Sequence, residues 1–291
     1  MTDGAAGELT VGLVGLGNMG SALAENLVAA GTRLVTHDRA GPSGCPAGAE
    51  YEDDLRPVAE RSSVVVLSLP DGQASTSVCQ GLLDVSSRRV THVVDTSTIG
   101  PDTARRLAAN LARSAIAYVD APVSGGVAGA RARTLTVMHA GAPDACSYVE
   151  PVLAALSDRR FRVGDEPGMA QAVKLANNFL SAAALVATSE AVAFATGEGV
   201  DMATVLEVLN ASSGQSAASR DKFVDHVLTG MFRSGFTNTL MAKDVDLYVR
   251  AVDARGTPDR LGRTCAEIWR EFVAEQPDTD FTRIYPFTAG T

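Results

Sequence analysis

The apolar and polar positions divide the chain into two regions with different periods. Through about residue 163, short β-branched runs recur, each closed by a turn residue. They are Val11–Val14, Arg33–His37, Ser63–Leu69, Thr91–Asp95, Ile116–Asp120, Leu135–Ala140 and a short one near Phe161–Val163. Between them lie helical patterns at Ser21–Ala30 and at about 52–60, 72–83, 101–113 and 143–156. Short apolar runs bounded by turn signals are buried strands, and strands alternating with helices imply a mostly parallel sheet with ligand over its carboxyl edge. From Met169 on the strand signal stops. Helical stretches then run at about 169–196, 201–211, 216–229, 238–255 and 258–275, broken at Gly197, Gly199, Gly230 and Gly256. The expected architecture is α/β: a doubly wound sheet domain over 1–166, then an all-α domain over 167–291. The turn-rich segment Gly164–Gly168 is the joint. The tail, about 276–291, reads as irregular, riding on the surface or on a neighbour.

Chemistry enters at the first turn. The first strand runs into Gly15-Leu16-Gly17-Asn18-Met19-Gly20 and then a helix, and the second strand ends in Asp38. A lone GxGxxG means little. Strand, glycine turn, helix, strand and then an acid about 20 residues on is the setting of a Rossmann-type dinucleotide site. Gly15 makes the tight turn, Gly17 admits the pyrophosphate, and Gly20 lets the helix pack on the strand. The helix N-terminus faces the phosphate charge. Asp38 suits the ribose hydroxyls of NAD, whereas Arg39 beside it suits the 2′-phosphate of NADP. The cofactor is therefore NAD or NADP, with NAD favoured because the acid holds the strand end. Leu69, Pro70 and Thr98 follow strand ends, where a nicotinamide would lie. Pro70 also serves as a strand stop, and Thr98 as a cap for the helix starting at Pro101.

Composition narrows the partners. Net charge is −9 with 46% hydrophobic residues, and no basic run occurs, which argues against a nucleic acid or an anionic membrane surface. The four cysteines (45, 79, 146, 265) and four histidines (37, 92, 139, 226) show no metal-ligand spacing. Reduced thiols in a cytoplasmic protein without a metal are expected. The N-terminal MTDGAAGELT lacks a basic region and reads as a short flexible leader.

Only three of the 25 Lys and Arg residues are lysines, at 174, 222 and 243. Lys174 lies in MAQAVKLANNFLSAAALVATSEAVAFA, a helix apolar enough to be buried around most of its circumference. Gln171, Lys174, Asn178 and Ser181 are spaced three, four and three apart, which aligns them on one helical face. A buried lysine is costly and titrates easily, so such a stripe faces a cleft. The plainer reading is a snorkelling surface lysine. Helices this apolar also pack between subunits, and a homodimer or homotetramer through the C-terminal helices is expected.

Asp120-Ala-Pro-Val-Ser124-Gly125-Gly126, followed by Gly129 and Thr134-Leu-Thr, resembles the substrate-binding signature of the β-hydroxyacid dehydrogenases, the 3-hydroxyisobutyrate dehydrogenase and tartronate semialdehyde reductase group. With it, Gly168…Lys174-Leu-Ala-Asn-Asn178 resembles the family's catalytic helix, Asp95-Thr-Ser-Thr98 its nicotinamide-side motif, and Phe236 with Lys243-Asp244 its C-terminal segment. The resemblance spans about residues 10–285. It implies hydride transfer between the nicotinamide and a short semialdehyde acid, with Lys174 as general acid and base, helped by Asn178, and with a pKa brought from about 10.4 toward 7–8 by burial. Independently of any family, Ser124-Gly125-Gly126 offers a hydroxyl and bare main-chain N–H groups, a nest for a small carboxylate substrate. It also reads as a plain glycine turn. Lys243 adds a second positive charge toward substrate or cofactor, or else pairs on the surface with Asp244 or Asp246.

Departures from the family pattern are Arg131, Arg133 and His139-Ala140-Gly141. The arginines are either a second anion contact or surface residues. Alternatives are an imine reductase-like NADPH enzyme, which generally lacks this lysine, a 6-phosphogluconate dehydrogenase, which needs a longer helical domain, and a non-catalytic dinucleotide-binding module.

Overall fold

The computed structural model describes residues 9–290. The expected N-terminal leader falls almost wholly on residues 1–8, outside the described residues. Two compact units divide between Lys174 and Leu175.

The first unit is built on β1 (Thr10–Val14), α1 (Asn18–Ala29), β2 (Arg33–His37), β3 (Glu50–Tyr51), α2 (Leu55–Arg61), β4 (Val64–Leu67), α3 (Gly72–Asp84), β5 (His92–Asp95), α4 (Pro101–Ala112) and β6 (Ala117–Asp120). It continues through β7 (Val123–Ser124), α5 (Gly126–Arg131), β8 (Thr136–Ala140), α6 (Pro143–Leu156) and β9 (Arg159–Gly164). The sheet order is β3-β2-β1-β4-β5-β6-β8-β7, with β9 on β8. Strands β1 to β6 pair in parallel, whereas β8 runs antiparallel to both β6 and β7. The chain reverses its direction of travel across the sheet between β1 and β4. A crevice opens at the carboxyl ends of strands at such a switch point.

Each central strand is apolar along its length because helices cover both faces: Val64–Leu67 are all fully buried. One core lies under α1 and α6, around Leu13, Leu23 and Val149, and the other under α2, α3 and α4, around Val65, Leu82 and Leu107. Asp54 and Asp71 cap α2 and α3 through main-chain N–H groups two and three residues on.

Helix α7 (Met169–Gly197) crosses the unit boundary. Gln171, Lys174 and Asn178 are buried, at 0, 8 and 6% exposure. Val173, Leu180 and Phe194 are exposed instead, at 44, 65 and 72%. The expectation that most of its circumference is buried is corrected to that extent. The polar stripe is buried together with Leu175, Ala182 and Leu185, and a second apolar stripe is exposed. By length and composition α7 could also cross a membrane.

The second unit continues with α8 (Met202–Asn210), a π-helical segment (Ala218–Val227), α9 (Asn238–Arg255), α10 (Arg260–Glu275), a 3₁₀ turn (Phe281–Arg283) and α11 (Ile284–Ala289). Its core gathers Ala182, Leu185, Phe223, Val245, Trp269 and Phe272. The tail is not irregular. Phe281 and Ile284 are 4 and 0% exposed and belong to this core, with Tyr285 and Phe287 packed against it. Asp280 anchors the turn by accepting from Ser234 and Thr282.

Candidate active site

The glycine turn is shaped by contacts that leave no room for side chains. Gly15 has φ +100°, and a Cβ there would run into the Ser68 carbonyl; one on Gly20 would run into the Gly15 carbonyl. Gly17 differs, because a Cβ there would meet nothing within 4 Å. Packing does not demand glycine at 17, so the bare backbone is space for a ligand. Helix α1 opens at Asn18 with no side-chain cap and no acid in its first turn, so its N–H groups and dipole remain for a phosphate.

Beside it a cavity of about 330 Å³ is lined by Leu16, Gly17, Asn18, Asp38, Gly41 and Ser43, among others. The Asp38 carboxylate accepts from Leu16 N–H at 2.5 Å and Ala40 N–H at 2.6 Å. It is thus held ready as an acceptor on the cavity wall. Arg39, next to it, is exposed. An open glycine backbone, an uncapped helix start and a carboxylate acceptor are groups that fit a dinucleotide.

The carboxyl ends of β4, β5 and β6 carry a connected polar lattice. Leu69 N–H donates to Ser97 Oγ at 2.9 Å. The Ser97 carbonyl accepts from Gln171 Nε2 at 3.0 Å, and Gln171 Oε1 accepts from the N–H groups of Ile99 and Gly100 at 2.9 and 3.1 Å. Gln171 N–H itself donates to Asp120 Oδ2 at 3.0 Å. Asp95 and Asp120 are fully buried and paired in register. Burial raises both carboxyls; Asp120 goes up to about 6, with Asp95 adding in the same direction. Pro70 and Thr98 lie in the loops after β4 and β5, at the same edge of the sheet.

Ser124 ends β7, paired with Thr136. Gly125 and Gly126 follow with φ +130° and +69°, conformations that a side chain would strain, and a Cβ on Gly126 would meet no atom. The main chain is open at Gly126, whereas a Cβ on Gly125 would press on Leu135. The nearby arginines are engaged elsewhere. Arg133 bonds the Ala154 carbonyl at 3.0 Å and pairs with Asp158 at 3.4 Å, while Arg131 faces Glu25 at 3.8 Å. His139 is buried on β8.

In the second unit Asn178 Nδ2 donates to Asp244 Oδ2 at 2.6 Å, and Lys243 Nζ sits 3.2 Å from Asp244 Oδ1. Lys243 pairs with Asp244, but that acid is buried, so the pair is not the surface one considered; Asp246 pairs with Arg270. Phe236 packs edge-on against Phe281, with ring centroids 5.6 Å apart. Among the described residues no group of three or more metal-ligating side chains occurs. The sequence placed Gln171 on the buried stripe and offered Asp244 as a partner for Lys243, but not the bonds of Gln171 to residues 97–100 and Asp120 or of Asp244 to Asn178.

Two family profiles cover most of the chain. One, described as the NAD binding domain of 6-phosphogluconate dehydrogenase, matches residues 10–164; the other, described as NAD-binding of NADP-dependent 3-hydroxyisobutyrate dehydrogenase, matches residues 168–288. The rat mitochondrial 3-hydroxyisobutyrate dehydrogenase is 30% identical over 97% of this chain and 88% of its own length. The 2-(hydroxymethyl)glutarate dehydrogenase of Eubacterium barkeri is 33% identical over 84% of this chain and 82% of its own. A solved Mycobacterium tuberculosis 3-hydroxyisobutyrate dehydrogenase with L-serine superposes with a TM-score of 0.88 at 29% identity, covering 96% of this chain and 98% of that one. Glycine turn, sheet order and matches over both halves agree: the chain belongs to the β-hydroxyacid dehydrogenase family and is an NAD(P)-dependent oxidoreductase of hydroxyacid CH–OH groups.

Proposed function

We propose that this protein interconverts a short-chain 3-hydroxyacid and its semialdehyde or keto acid, with Lys174 as general acid and base. The nicotinamide, when bound, gives or takes the hydride. Lys174 protonates the developing alkoxide in reduction and takes the proton back in oxidation. The observation that carries this reading is the burial of Lys174, at 8% exposure, in a helix otherwise rich in alanine. A general acid in this position contributes on the order of 10²–10⁴ in rate.

The Ser124 hydroxyl and the N–H groups of Gly125 and Gly126 receive the substrate carboxylate. Asn178, one turn beyond Lys174, holds the substrate oxygen or the ammonium; its own orientation is set by Asp244. Phe236 supplies an apolar wall, and Lys243 attracts the anionic group or covers the cofactor. Gly15 to Gly20 hold the pyrophosphate, with Leu69, Pro70 and Thr98 beside the nicotinamide. NAD is the preferred carrier, because the Asp38 carboxylate accepts ribose hydroxyls and repels a 2′-phosphate, while exposed Arg39 lies beside the cavity wall. The family relatives named above support a small hydroxyacid as substrate. The protein works in the cytoplasm as a dimer or tetramer, whose formation covers the outward stripe of Val173, Leu180 and Phe194.

The test is a panel of short 3-hydroxyacids and semialdehydes with NAD and NADP, on wild type and Lys174→Ala. Reduction should fall with rising pH and oxidation should rise, both limbs disappearing in the variant along with at least about 10² of kcat. Unchanged turnover in Lys174→Ala removes the lysine from the chemistry.

A further inference from the structure

We propose that Asp120 and Gln171 are positioning residues that lock the rotation and height of the start of α7, and so aim Lys174; this rests on the reading of Lys174 as the general acid. Gln171 is fully buried, and its side chain is fixed at both ends. Oε1 accepts from two consecutive main-chain N–H groups, of Ile99 and Gly100, and Nε2 donates to the Ser97 carbonyl. Its main-chain N–H belongs to the first turn of α7, where no intrahelical partner exists. That donor goes to Asp120 Oδ2 at 3.0 Å. A carboxylate at this helix start also complements the helix dipole.

The start of α7 needs such a device because its packing is weakly directional. It reads Met-Ala-Gln-Ala-Val, and of these five only Ala170 and Gln171 are buried, so few apolar contacts fix its rotation. A slip of one residue rotates a helix by about 100° and moves it about 1.5 Å. Lys174 is three residues beyond Gln171 on the same face, so any such slip carries the ammonium away from where it acts. Four directional hydrogen bonds, one to Asp120 and three through the Gln171 side chain, exclude that movement.

The same bonds tie down residues 97–100, and Ser97 Oγ in turn accepts from Leu69 N–H. The loop that carries Thr98 and the helix that carries Lys174 are thereby held in one lattice. A buried network of this kind is stiff only while every member is satisfied. Removing the Gln171 amide leaves two N–H groups and a carbonyl unpaired.

The experiment compares Gln171→Ala, Gln171→Met, Asp120→Ala and Asp120→Asn with wild type and Lys174→Ala. Readouts are kcat, KM, the Kd for NAD, and the pH limb of kcat that Lys174→Ala abolishes. A misplacement near 1 Å predicts a loss of about 10² in kcat, with the NAD Kd little changed and the pH limb displaced. Gln171→Met fills the same volume without the side-chain hydrogen bonds and carries the test if the alanine variant does not fold. Asp120→Asn keeps an acceptor for the helix start and should recover most of the kcat that Asp120→Ala loses. Folded Gln171 variants with wild-type kcat and an unmoved pH limb overturn the positioning role while leaving Lys174 in place. Loss of NAD affinity in step with kcat, with the limb unmoved, overturns it too, because the residue then serves the fold alone. Full activity in Lys174→Ala overturns both readings.

Discussion

Asp95 and Asp120 stand side by side at the ends of β5 and β6, both fully buried, and Asp120 carries the helix start on one of its oxygens. An isolated carboxyl titrates near 3.9, whereas burial moves that of Asp120 up to about 6. The folded chain therefore holds this proton more tightly than the unfolded chain does. Its contribution to stability is complete below about pH 4 and is lost as pH rises through about 6. A shift of about two units corresponds to roughly 3 kcal/mol. Asp120→Asn should remove that part of the fall in stability, which denaturant unfolding at about pH 4 and pH 7 would measure. A wild-type slope in the variant would show that the proton resides elsewhere, on Asp95 for instance. Single residues were legible where type and position coincide, as with the acid at a strand end (Asp38) or a lysine in an apolar helix (Lys174). They were illegible where the partner lies far along the chain. Gln171 meets Ile99 and Asp120 across 72 and 51 residues, and no local pattern encodes such a pairing.

Among the elements, the central strands of the sheet were readable because they are buried on both faces and so appear as unbroken apolar runs. The two-residue strands β3 and β7 and the six-residue α5 are too short to show any period. Helix α7 was found at nearly its full length, and the polar stripe through Lys174 is buried as that reading expected. The apolar residues Val173, Leu180 and Phe194 are exposed, which apolarity alone did not show. The tail was misread. It was expected to be irregular, but Phe281, Ile284 and Tyr285 recur at three and four residues and pack as a helical face. Phe281 touches Phe236 and Trp269. Its replacement by alanine opens a cavity in the second core and should cost about 3–5 kcal/mol. Urea unfolding of Phe281→Ala measures this directly. A loss under about 1 kcal/mol would mean the tail rests on the core without supporting it.

At the scale of the whole molecule, the order of motifs along the chain was enough to place both the dinucleotide half and the helical half. The position of the boundary between compact units depends instead on α7, a single helix divided between them. Its first turns belong to the hydrogen-bond lattice of the sheet edge, while Ala182, Leu185 and Val192 belong to the second core. If the first unit unfolds, α7 loses the anchors of its first turn, and the turns that carry the second core begin to fray from that end. The two units should therefore melt together. The chain's one tryptophan, Trp269, lies fully buried in the second core and reports on it alone. The residues that fit the dinucleotide's phosphates and ribose all lie in the first unit. Saturation at about 100 times Kd stabilises the folded state by about 2.7 kcal/mol, which for a chain of this size raises the melting temperature by roughly 4 °C. That rise should appear undiminished in Trp269 fluorescence. A tryptophan transition that stays put while the first unit's circular dichroism signal moves would show that α7 does not couple the two units.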